Sequence, residues 1–206
     1  TLSQGGDYHF QFVAQAGEEK STADAFTCVS SIPEIKARPA GVDMGIYYDA
    51  NDPTKVTLCT YAASKLAAAK HVFVVGDFNN WQVSEEYQLK QDGNYFWIEL
   101  TGLTPQKEYA MQYVVVRSDG VVKRISDLFA EKVLHSDDQW EPMTVDPDLM
   151  PYPQEADGYA TVIQTGKPAF QWSDATLNFK RPNKNNLVIY ELWVYDYTPE
   201  RSIAGL

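Results

Sequence analysis

Residues Lys70–Trp81 read Lys-His-Val-Phe-Val-Val-Gly-Asp-Phe-Asn-Asn-Trp. Four consecutive apolar residues, Val72, Phe73, Val74 and Val75, run into Gly76 and then into a polar turn that ends in a tryptophan. A short apolar run bounded by turn chemistry marks a strand covered on both faces. Such a strand needs neighbours, and the flanking sequence supplies them. Met44–Tyr48, Lys55–Ala62, His71–Val75, Tyr95–Leu100, Tyr109–Val116 and Val121–Ile125 all read as strands. Between them sit Asp49-Ala50-Asn51-Asp52-Pro53, Gln91-Asp92-Gly93-Asn94, Thr104-Pro105-Gln106 and Ser118-Asp119-Gly120, each of them turn chemistry. Short strands at this spacing predict an all-β chain with an antiparallel β-sandwich over about Val42–Val133. Its expected core includes Val72, Val74, Phe96, Ile98, Tyr113 and Val115, with no helix of three turns or more between Lys55 and Val133.

Upstream, Tyr8–Ala14 alternates aromatic and polar residues, Gly17-Glu18-Glu19-Lys20 turns the chain, and Ala25–Ser30 reads as the hairpin partner. Two strands alone are marginal in water, so this hairpin is expected to add to a sheet. That sheet is either the following domain's or one whose remainder lies upstream, in which case residues 1–40, the hairpin plus the connector Ile32–Gly41, are the remnant of an upstream domain. Lys65–Lys70 has helix propensity but is too short to stand alone, and reads as a loop or a single turn.

Downstream, the pattern dissolves from Ser136 to Pro182. Pro142, Pro147, Pro151, Pro153, Pro168 and Pro182 punctuate it, and Trp140, Tyr152, Tyr159, Phe170 and Trp172 are scattered along it. So long a structureless stretch is unusual in a compact domain, and it is too aromatic for a solvated linker. It is expected to lie extended across a neighbouring surface. Asn186–Thr198 then turns strongly apolar, and Leu187–Val194 reads as a strand. A strand that opens a domain so close to Leu206 suggests a piece of a larger protein.

Composition narrows the chemistry. The net charge of −11 leaves no basic stripe to displace counterions, which argues against nucleic acid and suits a neutral ligand such as a sugar polymer. Cys28 and Cys59 are not spaced for a metal site; either two buried thiols or a disulfide fits them. His9, His71 and His135 lack ligand spacing. No metal and no cofactor is expected. No apolar run approaches the ~18 residues of a membrane span. Internal repeats, phosphate loops and nucleophile elbows are missing, and Glu85-Glu86 and Asp137-Asp138 read as solvated charges.

The residues that carry a resemblance are Gly76-Asp77-Phe78-Asn79-Asn80-Trp81 after its strand, Asn94-Tyr95-Phe96-Trp97, Gly102-Leu103-Thr104-Pro105, and Tyr109 through Tyr113. Over about Gly41–Lys132 the chain resembles the N-terminal early-set, glycogen-binding-like domain that precedes the catalytic barrel in branching enzymes, pullulanases and their relatives in the α-amylase superfamily. A related module is the glycogen-binding domain of the AMP-activated kinase β subunit. Ile125-Ser126-Asp127 is similar to the family's closing segment, with Leu128 where a proline is usual. Tyr190-Glu191-Leu192-Trp193-Val194-Tyr195-Asp196-Tyr197-Thr198 resembles the first barrel strand of these enzymes. The resemblance implies an immunoglobulin-like sandwich over 41–135, a wrapping segment over 136–185, and the first strand of a truncated (β/α)₈ barrel over 186–206.

It also implies where chemistry is not. The superfamily's paired carboxylates sit on later barrel strands, so no catalytic residue is expected here, and Glu191 and Asp196 match structural positions. For carbohydrate binding the resemblance points to Trp81 with Asn79 and Asn80, because sugar rings stack on aromatic faces. The plainer reading of Trp81 is that it packs under its own turn or against the catalytic barrel. The family's binding lysine falls near Gln112 and its second tryptophan near Val121 or Val122, so both are changed. Trp97 reads as core or interface. The implied function is the non-catalytic N-terminal region of an α-glucan-active glycoside hydrolase or transglycosylase, with α-glucan and its own catalytic barrel as partners. The alternative is a stand-alone glycan-binding module of a starch-handling surface protein. Location outside the cytoplasm is slightly favoured.

Overall fold

The computed structural model describes residues 6–17, 19–29, 32–63, 65, 67–139, 148–200 and 205, with the backbone alone at 6–11, 20, 22–29 and 195. The chain forms two compact units: residues 1–138 with 150–167, and residues 139–149 with 168–206.

The first unit begins with a hairpin. Strands β1 (Gly6–Ala16) and β2 (Glu19–Val29) pair antiparallel from Gly6↔Val29 to Ala16↔Glu19. Gly17 takes φ 64° at the turn, a conformation that glycine adopts without steric cost. The hairpin was expected to join a larger sheet. Among the described residues it is a two-stranded sheet of its own, paired along the whole length of both strands.

Nine further strands build the sandwich. These are β3 (Gly45–Tyr48), β4 (Val56–Tyr61), β5 (Ala69–Gly76), β6 (Lys90–Asp92), β7 (Tyr95–Leu100), β8 (Glu108–Arg117), β9 (Val122–Ile125), β10 (Lys132–Leu134) and β11 (Ala160–Gln164). One sheet runs β3-β4-β7-β6 and the other β10-β11-β8-β5, with β9 also on β8. Every pair is antiparallel. β8 is the hub. One edge takes β5; the other takes β11 along Glu108–Met111 and β9 along Tyr113–Val116.

Alternation places Val72 and Val74 of β5, Phe96, Ile98 and Leu100 of β7, and Tyr109, Met111, Tyr113 and Val115 of β8 in one core with Val56, Leu58, Leu89 and Ile163. All six expected core residues lie in it. Between Lys55 and Val133 the described helices are two single 3₁₀ turns, Asp77–Asn79 and Glu85–Tyr87. The fold is the expected immunoglobulin-like sandwich.

Tyr113 is completely buried, and its hydroxyl donates to Asp127 Oδ2 at 2.8 Å. The Asp127 N–H donates to Thr161 Oγ1 at 2.7 Å. This tie anchors the crossing from β9 to β10, and burial pushes the Tyr113 phenol well above its ordinary range. A phenol kept neutral is a good donor to a buried carboxylate.

Three departures from the sequence reading have physical causes. First, the connector is a packed strip. It pairs Ile35 with Gln91 beside β6, and Trp97 Nε1 donates to the Lys36 carbonyl at 2.9 Å. The Arg38 guanidinium lies 3.5 Å from the centre of the Tyr95 ring and bonds Asp92 Oδ2 at 3.0 Å. Together with the Lys36 and Lys90 side chains over the indole, this strip covers Trp97 on the outer face of the first sheet, which is only 4 % exposed. Cys59, paired with Trp97 across that sheet, is a buried free thiol, and desolvation raises its pKa to about 11. The Cys28 side chain lies outside the described residues.

Second, β11 falls inside the stretch read as structureless. Ala160–Ile163 is buried along its whole length, so the strand shows no period-two signal. Third, Leu187–Trp193 is not a strand. No ladder forms there, and a helical turn, α2 (Val194–Tyr197), follows it in the second unit. That unit also holds α1 (Asp174–Leu177), whose first turn is capped by Ser173 Oγ accepting from the Thr176 N–H at 3.2 Å. A strand needs a neighbour to form its ladder, and among the described residues of the second unit none pairs with this segment. Among the described residues no helix is long and apolar enough to cross a membrane. Trp140, Pro142 and Pro147 lie outside the described residues.

Candidate functional site

The corner after β5 is built by its own sequence. At Gly76 a β-carbon would sit 2.4 Å from the Ala110 carbonyl oxygen and 2.9 Å from the Met111 side chain. Glycine is therefore required there by the close approach of β5 to β8. Asp77 then serves two partners. Its Oδ2 accepts from the Ala110 N–H at 2.7 Å and its Oδ1 from the Trp81 indole N–H at 3.0 Å. Asn79 closes the turn on itself, accepting from the Gly76 N–H at 2.9 Å and donating to the Val74 carbonyl at 3.1 Å. Phe78 packs between Tyr87 and Tyr109, ring centres 5.6 and 6.4 Å away.

Asn80 and Trp81 both take left-handed backbone, φ 52° and 58°, which costs roughly 1–2 kcal/mol per residue without glycine. The bonds of Asp77 and Asn79 offset that strain. Of the three residues singled out for carbohydrate, Asn79 spends its amide inside the turn, Asn80 faces solvent, and Trp81 is 8 % exposed. The structure brings them into one tight turn, with the indole turned inward and hydrogen-bonded.

Gln112, near which the resemblance placed a binding lysine, is fully buried. Its Nε2 donates to the carbonyls of Asp157 and Tyr159 at 2.6 and 2.8 Å, and its Oε1 accepts from the Asp157 N–H at 3.1 Å. One side-chain amide thus fastens the loop that leads into β11. Sequence reasoning could not see this, because the partners lie 45 and 47 residues away.

That loop forms part of a groove of about 570 Å³ whose walls include Tyr61, Val122, Ile125, Leu128 and Tyr159. Tyr61 and Tyr159 are 45 % and 58 % exposed. Thr60, Lys123, Ser126 and Asp157 add polar groups. Neither Trp81 nor Asn79 nor Asn80 lines it. The signal that could have found it is an exposed tyrosine at a strand end, which is weak on its own.

The histidines and the C-terminal carboxylates are scattered. His71 Nδ1 sits 3.2 Å from Gln88 Nε2, and burial together with Lys70 lowers its pKa. The His135 and Tyr159 rings lie tilted against each other with centres 4.6 Å apart. The His9 side chain lies outside the described residues. Among the described residues no three His, Cys, Asp or Glu groups converge as metal ligands. Glu191 and Asp196 are exposed.

No curated protein matches the chain. Among solved structures it is similar to the apo pullulanase of Paenibacillus barengoltzii, at 18 % identity and a TM-score of 0.35, over 48 % of this chain and 14 % of that one. A likeness so slight carries no argument. The informative comparison is with a family model. Residues 43–130, from just before β3 to just before β10, match carbohydrate-binding module 48, the isoamylase N-terminal domain.

Proposed function

We propose that this chain is the non-catalytic N-terminal region of an α-glucan-active glycoside hydrolase or transglycosylase. The sandwich would position a catalytic barrel and contact α-glucan. The observation that carries this reading is the match of residues 43–130 to a carbohydrate-binding module named for isoamylase. Two features support it. Tyr190–Thr198 resembles a first barrel strand, and the second unit leaves Phe170, Trp172, Phe179, Val188, Ile189 and Trp193 between 61 % and 97 % exposed. A surface so apolar suits burial against a further domain. A barrel would give Leu187–Val194 the parallel neighbours it lacks here.

The test compares the polypeptide encoded by the whole reading frame with a version lacking residues 1–206, on starch, glycogen and pullulan. The isolated chain should release no reducing sugar. The whole polypeptide should cleave or transfer α-glucosidic bonds, and removing these residues should lower its stability or activity. A whole polypeptide that binds starch without altering it would favour the surface-protein alternative. One with no action on or affinity for α-glucan would overturn both.

A further inference from the structure

We propose that the groove between Tyr61 and Tyr159, and not the Trp81 corner, is where this chain holds α-glucan. The proposal rests on the glucan-handling reading above and gives it a location.

The groove exists because two strands leave edges open. β3 pairs with β4 only as far as Gly45↔Cys59, so Thr60 and Tyr61 project beyond it. Among the described residues β9 pairs with β8 along one edge and with no other strand. The third wall is the loop Asp157–Tyr159, fastened from beneath by Gln112. All three walls are therefore set before any ligand arrives, which reduces the ordering cost that weakens binding of flexible polymers. The volume of about 570 Å³ lies within the ~300–1,000 Å³ typical of small-molecule sites.

The lining has the chemistry of sugar recognition. Sugar rings carry apolar C–H faces that stack on aromatic rings and hydroxyl rims that need both donors and acceptors. Both tyrosines are held in place. Tyr61 meets Tyr95 edge to face with centres 4.9 Å apart, and Tyr159 lies on His135 at 4.6 Å. Each keeps about half of its surface open. Thr60 and Ser126 supply hydroxyls, Asp157 an acceptor and Lys123 a donor. Arg124 already bonds the Glu155 carbonyl, so the two cations do not form a phosphate clamp, and Asp157 opposes them. This balance favours a neutral polyol over an anionic polymer. Gly158, at φ 69°, lets the loop backbone come close to a ligand. By contrast, the Trp81 indole is bonded to Asp77 and nearly buried.

The test titrates maltoheptaose into the intact chain and follows backbone amide shifts by NMR. Shifts should cluster at Val122–Ser126 and Asp157–Tyr159. Tyr61→Ala and Tyr159→Ala should each weaken binding about fivefold, the ratio expected of one stacking ring. Tyr159→Phe should bind like the parent, and so should Asn80→Ala. Shifts confined to Asn79–Gln82, with both alanine variants unaffected, would overturn the groove while leaving glucan contact intact. Absence of any shift with maltoheptaose would also overturn it. The positioning role of the chain would still stand, because it is read separately from the whole polypeptide.

Discussion

The sandwich and the stretch from Pro168 to Glu200 are both rich in large apolar residues, and they end in opposite places. In the sandwich, Phe73, Phe96 and Tyr113 are 1 % exposed or less; in the second stretch Phe170, Phe179 and Trp193 are 73 %, 72 % and 74 % exposed. Apolar content is therefore not what buries a side chain here. Strands of the first region find antiparallel partners within a few turns, so their apolar faces meet across two sheets. The second region, among its described residues, has short turns and no ladder, and within it Phe170 and Trp172 meet edge to face with ring centres 4.9 Å apart.

The sharpest way to break this comparison is a pair of truncations. Phe96→Ala should cost about 3–5 kcal/mol, the range for deleting a buried aromatic. Trp193→Ala should change stability by no more than about 0.5 kcal/mol, as at an unpacked surface site. Urea melts of the two variants check this, and equal costs would mean the second region is packed after all.

Next in size is Gln112→Met, which keeps the volume of the side chain and removes its amide. The Asp157 N–H and the carbonyls of Asp157 and Tyr159 lose their partner, so a loss of roughly 2–3 kcal/mol is expected. Amide exchange at residues 157–159 should quicken before the core strands respond. Unchanged exchange there would mean the loop is held by something other than Gln112.

Cys59 gives a smaller effect that depends on pH. Burial pushes its thiol up from the ordinary value of 9.0 to about 11 in the fold. Between those values the unfolded state binds fewer protons, so stability is fully present below about pH 9 and declines as pH rises toward 11. The loss should be roughly 2 kcal/mol, seen as the difference between the parent and Cys59→Ala in urea melts across that range. Parallel curves would place the thiol in contact with solvent.

The smallest effect on stability belongs to Val188→Lys with Ile189→Lys, two exposed positions. Melting should move little. If the apolar stretch attracts other copies in the absence of its partner surface, light scattering of the parent at high concentration should show association that the double variant reduces. A parent that stays strictly monomeric would contradict this.

How much was legible follows from where each signal lives. β5, β7 and β8 were readable because their apolar runs sit between turn residues, and the six expected core positions all lie inside. The turn Gly76–Trp81 was recognisable as a motif, but its sequence does not say which way the indole points. That was decided by the Ala110 N–H and the Trp81 indole, both of which Asp77 satisfies. β11 was missed because a strand buried on both faces has no alternation. The groove was missed because Tyr61 and Tyr159 are 98 positions apart in a sequence that shows no link between them.

The sequence by itself determined the all-β character, six of the seven strands from Met44 to Ile125 (the short β6 lies in a stretch that reads as a turn), and the positions that must be apolar on the core side. Local turn chemistry and period-two patterning are sufficient for that, because they act over a few residues. The tertiary structure alone decided that the connector is a covering strip over Trp97, that Gln112 fastens the loop before β11, and that Leu187–Trp193 carries no ladder. Each of those outcomes depends on a partner far away in sequence, or on its absence from the second unit, and hydrogen bonds and burial are properties of pairs.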